Sequence, residues 1–592
     1  MALDSFSRAF AAWRPSGPSD YLAVSALLLL PFLLTYTLTY IKGYWIKTTR
    51  SKHGGREPPP APYAIPGLAN TIGFARDPEG YLRRMLKRFG EVPFRLIVGP
   101  YRFYHIPPGD LLLQLFRASR DLTAKPLTVM AMRDQFGLPE EDMNVIYRDD
   151  SGINAKPLEG FENMDPKHRL MHNNHRDLHN LLSGSALDVM TARFVEIYSD
   201  QTRESQVVPK SQSSNKEWTQ LPDLYEFLRD EMFQAACTAL LGDHFFRLNP
   251  NFSSVFWEFD RNVMAYTRRL PRWLARRAYQ VRDETIEALV RWRDHASEHY
   301  PIHGPEETKA EWEPFWGAKL MRAREIMLND LAVSKTGKAV FDLGMLWATN
   351  ANVIPSAFWA LRAIIATPGL TERVLAETSS CFDEETGGVD IAALCSKPLL
   401  TSIYLEALRF SVGVTPARNL LVPSIELGPW KFERGSTLIA NNWFGSRALG
   451  FWNTGRDLDS GKPEHPVDSF WAERWLEYPD DPASGPLRKP DASLYRAATK
   501  PRTIEDDANA KVVTTGTAGY FFPYGGGTKI CPGRFFAKQE MMSAVAVFLR
   551  EFEFELVDKE AADRIELDMS YFPAGSLPPK GKTAVRIRRR ER

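Results

Sequence analysis

The segment Phe522-Pro-Tyr-Gly-Gly-Gly-Thr-Lys-Ile-Cys531-Pro-Gly-Arg534 gathers more chemistry than any other stretch of the chain. Its glycines at 525, 526 and 527 let the backbone approach a flat ligand and take unusual φ angles. Pro532 and Gly533 start a helix directly after Cys531, so the cysteine sits in the field of a helix N-terminus. That field and the nearby N–H groups favour the thiolate, the form in which sulfur binds a metal. The loop holds no second cysteine and no histidine, so a metal there must bring most of its own ligands, as haem iron brings its porphyrin nitrogens. Zinc, which draws its ligands from several side chains, is disfavoured. The plain alternative is an inert cysteine beside a glycine turn. A phosphate-binding loop is excluded, because Lys529 lacks the Gly before it and the Ser or Thr after it.

Four further groupings could carry chemistry. In Tyr404-Leu-Glu406-Ala-Leu-Arg409, Glu406 and Arg409 fall at i,i+3 on one helical face, which alone is an ordinary surface ion pair. A long apolar helix is expected at 340–365, with Thr349, Asn350 and Asn352 one turn before Pro355. Proline removes a helical hydrogen bond and kinks the helix there, and core packing with a kink is the simplest reading. His168, His172, His175 and His179 recur at helical spacing and are expected on one face. They cannot share one ion, since the stretch rises about 16 Å, although His172 and His179 could form a pair. His295-Ala-Ser-Glu298-His299 matches a metallopeptidase pattern, but Pro301 ends its helix and the neighbouring charges read as a solvated face.

The chain that must position these residues has 592 of them, 74 Lys+Arg against 73 Asp+Glu, and a formal charge of +1. There is no basic field for nucleic acid, and 44% hydrophobic residues make disorder a poor description. Cys237, Cys381, Cys395 and Cys531 form no close pair, which fits a reducing compartment. No charge interrupts residues 21–41, a length that spans a bilayer. Tyr40, Tyr44 and Trp45 mark one interface, and Lys42, Lys47, Arg50, Lys52 and Arg56 follow. Arg8 and Arg14 precede the run but are balanced by Asp4 and Asp20, so the positive-inside bias puts the downstream chain in the cytosol. A cleaved signal peptide is the competing reading; the run is longer than a typical h-region and lacks a small-residue cleavage site.

Pro58, Pro59, Pro60, Pro62 and Pro66 then form a stiff, non-helical spacer. The expected organisation is an N-terminal segment at 1–20, an anchor at 21–41, a basic and proline-rich hinge at 42–62 and one catalytic domain at 63–592. Within that domain a helix is expected at 78–89, strands at 93–98 and 101–106, and mostly helix up to about residue 410. A strand at 437–439 and a helix at 534–552 follow. Val585 and Ile587 alternate with arginines, which suggests a last edge strand with a solvated basic tail. The fold class is mainly α with small β-sheets.

Tyr524 to Gly533 resembles the cysteine-ligand loop of the cytochrome P450 family, whose haem iron takes a cysteine thiolate. Tyr524 stands where the family usually has Phe over the sulfur, and Lys529 where it often has an Arg near a haem propionate. The resemblance implies haem b with Cys531 as axial ligand, and Gly533 beside it. It further implies a buried structural network of Glu406, Arg409 and Arg474, the last from Phe470-Trp-Ala-Glu-Arg474-Trp475, where Ala472 replaces the usual proline. Arg418 resembles the family arginine that meets a propionate, and His172 with Arg176 stand where a Trp and an Arg are often found.

In the helix over the haem, Ala351 takes the usual acidic place and Asn352 the threonine place, a pattern similar to sterol 7-alpha-hydroxylases and prostacyclin synthases. Asn352 is then expected to organise water or hydrogen-bond dioxygen. The implied activity is a monooxygenase acting on an apolar small molecule, terpenoid, sterol-like or another secondary metabolite, as in fungal relatives. Electrons would come from NADPH through cytochrome P450 reductase, with cytochrome b5 as a possible second partner. The implied location is the endoplasmic reticulum membrane, single-pass, with the catalytic domain cytosolic. Two alternatives stand beside this: a haem-thiolate isomerase or dehydratase that works without NADPH, and a non-catalytic haem or zinc membrane protein.

Overall fold

The uncharged run that begins at Tyr21 folds as part of one long helix, α1 (Pro18–Thr48), within a computed structural model of the chain. The structure describes residues 17–48, 55–205, 207–208, 218–457, 462–496 and 501–591. The expected N-terminal segment up to residue 16 and the basic residues Arg50 and Lys52 lie outside the described residues. Tyr21–Lys47 is long and apolar enough to cross a membrane. The chain divides into two compact units, 1–107 with 418–440, and 108–417 with 441–592.

In the first unit, α1 is followed by a proline segment that folds against it. The Tyr63 N–H donates to Thr39 Oγ1 at 3.2 Å, and the Arg88 guanidinium lies 3.6 Å from the Tyr40 ring centroid. A Cβ on Gly43 would sit 2.8 Å from the Pro60 carbonyl oxygen, so only glycine allows this approach. Helix α2 (Pro78–Phe89) has the ends its sequence signals: Asp77 accepts from the Gly80 N–H at 2.9 Å, Pro78 opens the first turn, and Gly90 at φ 65° closes the last. Strands β1 (Phe94–Val98) and β2 (Tyr101–His105) pair as an antiparallel hairpin. Thr437–Ile439 joins β2 in parallel, and Ala417–Leu420 lies beyond it. Arg418, on that last strand, is buried, and burial brings its guanidinium down to about 10.

The second unit is helical around a large apolar core. Its principal helices are α3 (Leu170–Leu181), α4 (Gly184–Glu204), α5 (Leu224–Leu241), α6 (Lys335–Asn350), α7 (Val353–Ala366), α8 (Pro398–Ser411) and α9 (Arg534–Glu551). Helix α7 is apolar except for Ser356 and Arg362, is buried along most of its length, and packs on α5, α8 and α9. The expected single helix at 340–365 is two helices broken at Ala351 and Asn352. Pro355 has no N–H to give the carbonyl of Ala351, which accounts for the break. His168 sits in a separate 3-10 turn, Pro166–His168, so only the three later histidines share α3.

The last strand, β5 (Val585–Arg589), is not the edge strand that was expected. It is central, between β4 (Phe552–Leu556) and β3 (Thr219–Leu221). Its basic end is solvated only in part: Arg586 is exposed, whereas Arg589 donates to the carbonyls of Thr202 at 2.8 Å, Arg203 at 3.0 Å and Val208 at 2.9 Å. A strand neighbour more than three hundred residues earlier leaves no trace in local alternation.

Candidate active site

Helix α8 opens with Pro398 at its first position and carries Glu406 and Arg409 inward. Both are fully buried, as is Arg474. Every N–H of Arg409 finds an acceptor: Nε and Nη2 reach Glu406 at 2.8 Å each, Nη1 reaches the carbonyls of Ser446 and Val467 at 2.7 Å, and Nη2 also reaches that of Ser469 at 2.9 Å. Glu406 further accepts from Arg474 Nε at 3.1 Å, the Trp471 N–H at 3.0 Å and Trp475 Nε1 at 3.2 Å. Burial alone would push this carboxyl up, but Arg409 and Arg474 outweigh it and hold the carboxyl below its usual range. The three residues of the expected network therefore meet in one charge cluster.

From this cluster the path to the cysteine loop is short. Trp475, bonded to Glu406, packs on Phe521 with ring centroids 4.7 Å apart. The next residue, Phe522, donates its N–H to Asn442 Oδ1 at 2.8 Å, and Asn442 Nδ2 reaches the Val412 carbonyl, just past α8, at 3.0 Å. The loop then turns through Gly525, at φ 72°, and passes so close to Phe116 that a Cβ on Gly526 would meet its ring at 2.5 Å. It closes where the Cys531 N–H donates to the Tyr524 carbonyl at 2.9 Å. Tyr524 also shares a hydroxyl–hydroxyl hydrogen bond of 2.7 Å with Tyr404 on α8.

Helix α9 begins three residues after Cys531. A Cβ on Gly533 would lie 3.8 Å from Cys531 Sγ, which measures how near the backbone runs to the sulfur. Burial pushes the Cys531 thiol up, while the N–H of Gly533, the charge of Arg534 and the N–H of Arg534 pull it down. A cation on the sulfur would reverse the balance toward thiolate. Among the described residues no three His, Cys, Asp or Glu are grouped to hold a metal ion. The donor set is thus one sulfur with N–H support and a bare glycine backbone, which fits a metal that brings its own ring of ligands, and does not fit zinc.

Helix α3 turns two histidines toward this loop. His175 is lowered to about 4 by burial, then by His179, Lys529 and His172, and His179 is lowered by burial and Arg534. Of the pair expected near the propionates, His172 bonds through Nδ1 to the Ile153 carbonyl at 2.8 Å, and half-exposed Arg176 pairs with Asp177 at 2.8 Å. His175, His179 and Arg534 were legible only as helical spacing and as the residue after Pro-Gly.

At the break between α6 and α7, the Thr349 hydroxyl bonds to the Met345 carbonyl at 3.0 Å and Asn350 Nδ2 to that of Leu346 at 2.9 Å, whereas Asn350 Oδ1 is buried without a partner among the described residues. Asn352 is held otherwise: its Oδ1 accepts from the Ser576 N–H at 3.0 Å. A backbone N–H can only donate, so the amide is oriented and its Nδ2 remains the donor. Ala348, within this apolar helix, is exposed, so the helix borders a space open to solvent-sized molecules. Asp260, missed from sequence, accepts from Trp347 Nε1 at 2.8 Å, and burial brings its carboxyl up to about 6.

A family model described as cytochrome P450 matches residues 506–583. The chain is 31% identical over 588 residues to the cytochrome P450 monooxygenase fsoE of Humicola fuscoatra, covering 95% of each. It is 31% identical over 584 residues to the cytochrome P450 monooxygenase efuG of Hormonema carpetanum, covering 96% of this chain and 97% of that one. It is also 24% identical to the cholesterol 7-alpha-monooxygenase of Cricetulus griseus, over 90% of this chain and 94% of the relative.

Proposed function

Because the chain belongs to the cytochrome P450 family, we propose that it is a membrane-anchored monooxygenase of an apolar small molecule, fed with electrons from NADPH by a partner reductase. The observation that carries this is the cysteine loop: a single sulfur flanked by N–H groups, on a glycine backbone, braced by a buried charge cluster. When bound, haem supplies the activation of dioxygen, so that one oxygen atom enters a C–H bond and the other leaves as water, with two protons and two electrons that start on NADPH. The chain carries no flavin or nicotinamide motif, which is why a reductase is needed, with cytochrome b5 as a further donor.

Cys531 is the residue that would hold the iron, with Tyr524 against the loop and Gly533 giving its N–H to the sulfur. Arg418, Lys529 and Arg176 are the cations proposed to meet the propionates. Asn352 is proposed to hold water or dioxygen by its oriented Nδ2 donor; having no ionisable group, it relays protons only through bound water. Replacing Asn352 by Leu is expected to lower coupled turnover by about tenfold or more, read as product formed per NADPH consumed. Unaltered turnover and coupling would remove Asn352 from the mechanism.

The apolar helix α1, with aromatic residues and lysines at its C-terminal end, supports a single-pass anchor in the endoplasmic reticulum membrane with the catalytic body in the cytosol. Such an anchor favours an apolar substrate arriving from the bilayer, terpenoid or sterol-like, in keeping with the sterol named for one relative. Deleting residues 1–50 is expected to move the protein into the soluble fraction, and retention in membranes would contradict the anchor.

One observation favours a second reading. Ala351 stands at the acidic place, and the donors at hand, the Thr349 hydroxyl and Asn350 Nδ2, are given to carbonyls of their own helix. Rearrangement or dehydration of a peroxide needs no delivery of protons to dioxygen and would tolerate this arrangement. Turnover of a peroxide without NADPH or reductase would establish that reading; strict dependence on both supports the monooxygenase.

A further inference from the structure

Between α8 and the cysteine loop lies a contact that neither the charge cluster nor the sulfur's own N–H partners account for. Tyr404 is buried on α8, two residues before Glu406, so its backbone is held by the most heavily bonded turn of that helix. Its hydroxyl lies 2.7 Å from the hydroxyl of Tyr524, whose carbonyl receives the Cys531 N–H at 2.9 Å. Burial pushes both phenols up, so each keeps its proton, and one donates while the other accepts. A continuous set of constraints thus runs from α8, through two rings and one hydroxyl pair, to the peptide group of the metal-binding cysteine. A Phe at 524 would supply the ring without the bond.

We propose that the Tyr404–Tyr524 hydroxyl pair is a positioning device for Cys531, fixing the loop so that the sulfur stays within reach of the Gly533 and Arg534 N–H groups. The inference rests on the reading of Cys531 as haem ligand and goes beyond it by naming what keeps the ligand in place. The physical signature is specific to a paired hydroxyl. Removing one partner leaves the other stranded away from water, whereas removing both leaves none stranded and keeps both rings. The two substitutions should therefore be strongly non-additive.

The experiment uses the full-length, haem-loaded protein as Tyr404→Phe, Tyr524→Phe and the double variant. After dithionite reduction and carbon monoxide binding, the rate at which the red-shifted thiolate band converts to the ordinary position on mild warming is measured. Global melting is followed in parallel by far-ultraviolet circular dichroism, and the reduction potential of the iron is titrated. Each single variant is expected to convert on the order of tenfold faster than the parent with little change in global melting. The double variant is expected to convert more slowly than either single one. Singles that convert at the parental rate, or a double whose acceleration equals the product of the two, would overturn the pair's role. Conversion that only tracks global melting would overturn it as well. A parent without the red-shifted band would instead sink the ligand reading, and the pair's role with it.

Discussion

Replacing Glu406 by Gln is expected to leave little or no haem-containing protein in the membranes. The substitution keeps shape and removes charge, so Arg409 and Arg474 remain fully buried with nothing to neutralise them. Breaking a buried pair in this way costs about 3–5 kcal/mol, against a total stability of about 5–15 kcal/mol for a typical domain. Here one carboxylate serves two guanidinium groups, a backbone N–H and an indole N–H, so the loss falls on all of them. Arg409→Lys is the informative companion. It preserves the charge but offers three donors to the five contacts that Arg409 makes. The Glu406 carboxyl is held below its ordinary range, so its stabilising contribution is present above the usual carboxylate pKa and is lost as pH falls through the depressed folded value. Haem content per milligram of membrane protein checks the prediction, and parental content in Glu406→Gln would refute the structural role of the cluster.

Cys531→Ala is expected to give the opposite pattern: a folded body without the thiolate spectrum and without turnover. The Cys531 side chain is only half-buried, and the core helices α7, α8 and α9 pack on one another without it. What the substitution removes is the one sulfur that the Gly533 and Arg534 N–H groups support. Far-ultraviolet circular dichroism should remain close to the parent, while the red-shifted carbon monoxide band disappears. An unchanged spectrum would show that another residue ligates the iron. The contrast between the two variants separates the frame from the ligand: one loses the fold that carries the loop, the other only the atom at its end.

Much of this was readable from local sequence, because the signals were local. Asp77, Pro78 and Gly90 punctuate α2 so clearly that its ends coincide with the expected ones. The positive φ of Gly525 and Gly527 is what the glycine run leads one to expect, but the run reads as room for a flat ligand, and the close pass of Gly526 under the Phe116 ring has no sign in it. Glu406 and Arg409 illustrate the limit. Their spacing describes a surface ion pair as well as a buried one, and only the resemblance that brought in Arg474 pointed to burial. The apolar helix was expected whole and is broken, since a proline announces a lost hydrogen bond but not how the chain resolves it. β5 reads as an edge strand because one of its two neighbours, β3, comes from far along the chain. The same holds for the Tyr404 hydroxyl and for Asp260 beneath Trp347, whose partners lie 120 and 87 residues away.

The most direct test of the central claim, that Cys531 is the thiolate ligand of a haem monooxygenase, is the reduced, carbon monoxide difference spectrum of membranes carrying the full chain. The account predicts a Soret band at the red-shifted thiolate position in the parent and its loss in Cys531→Ala. A band at the ordinary histidine position in well-folded parent protein, or no haem signal at all, would contradict it.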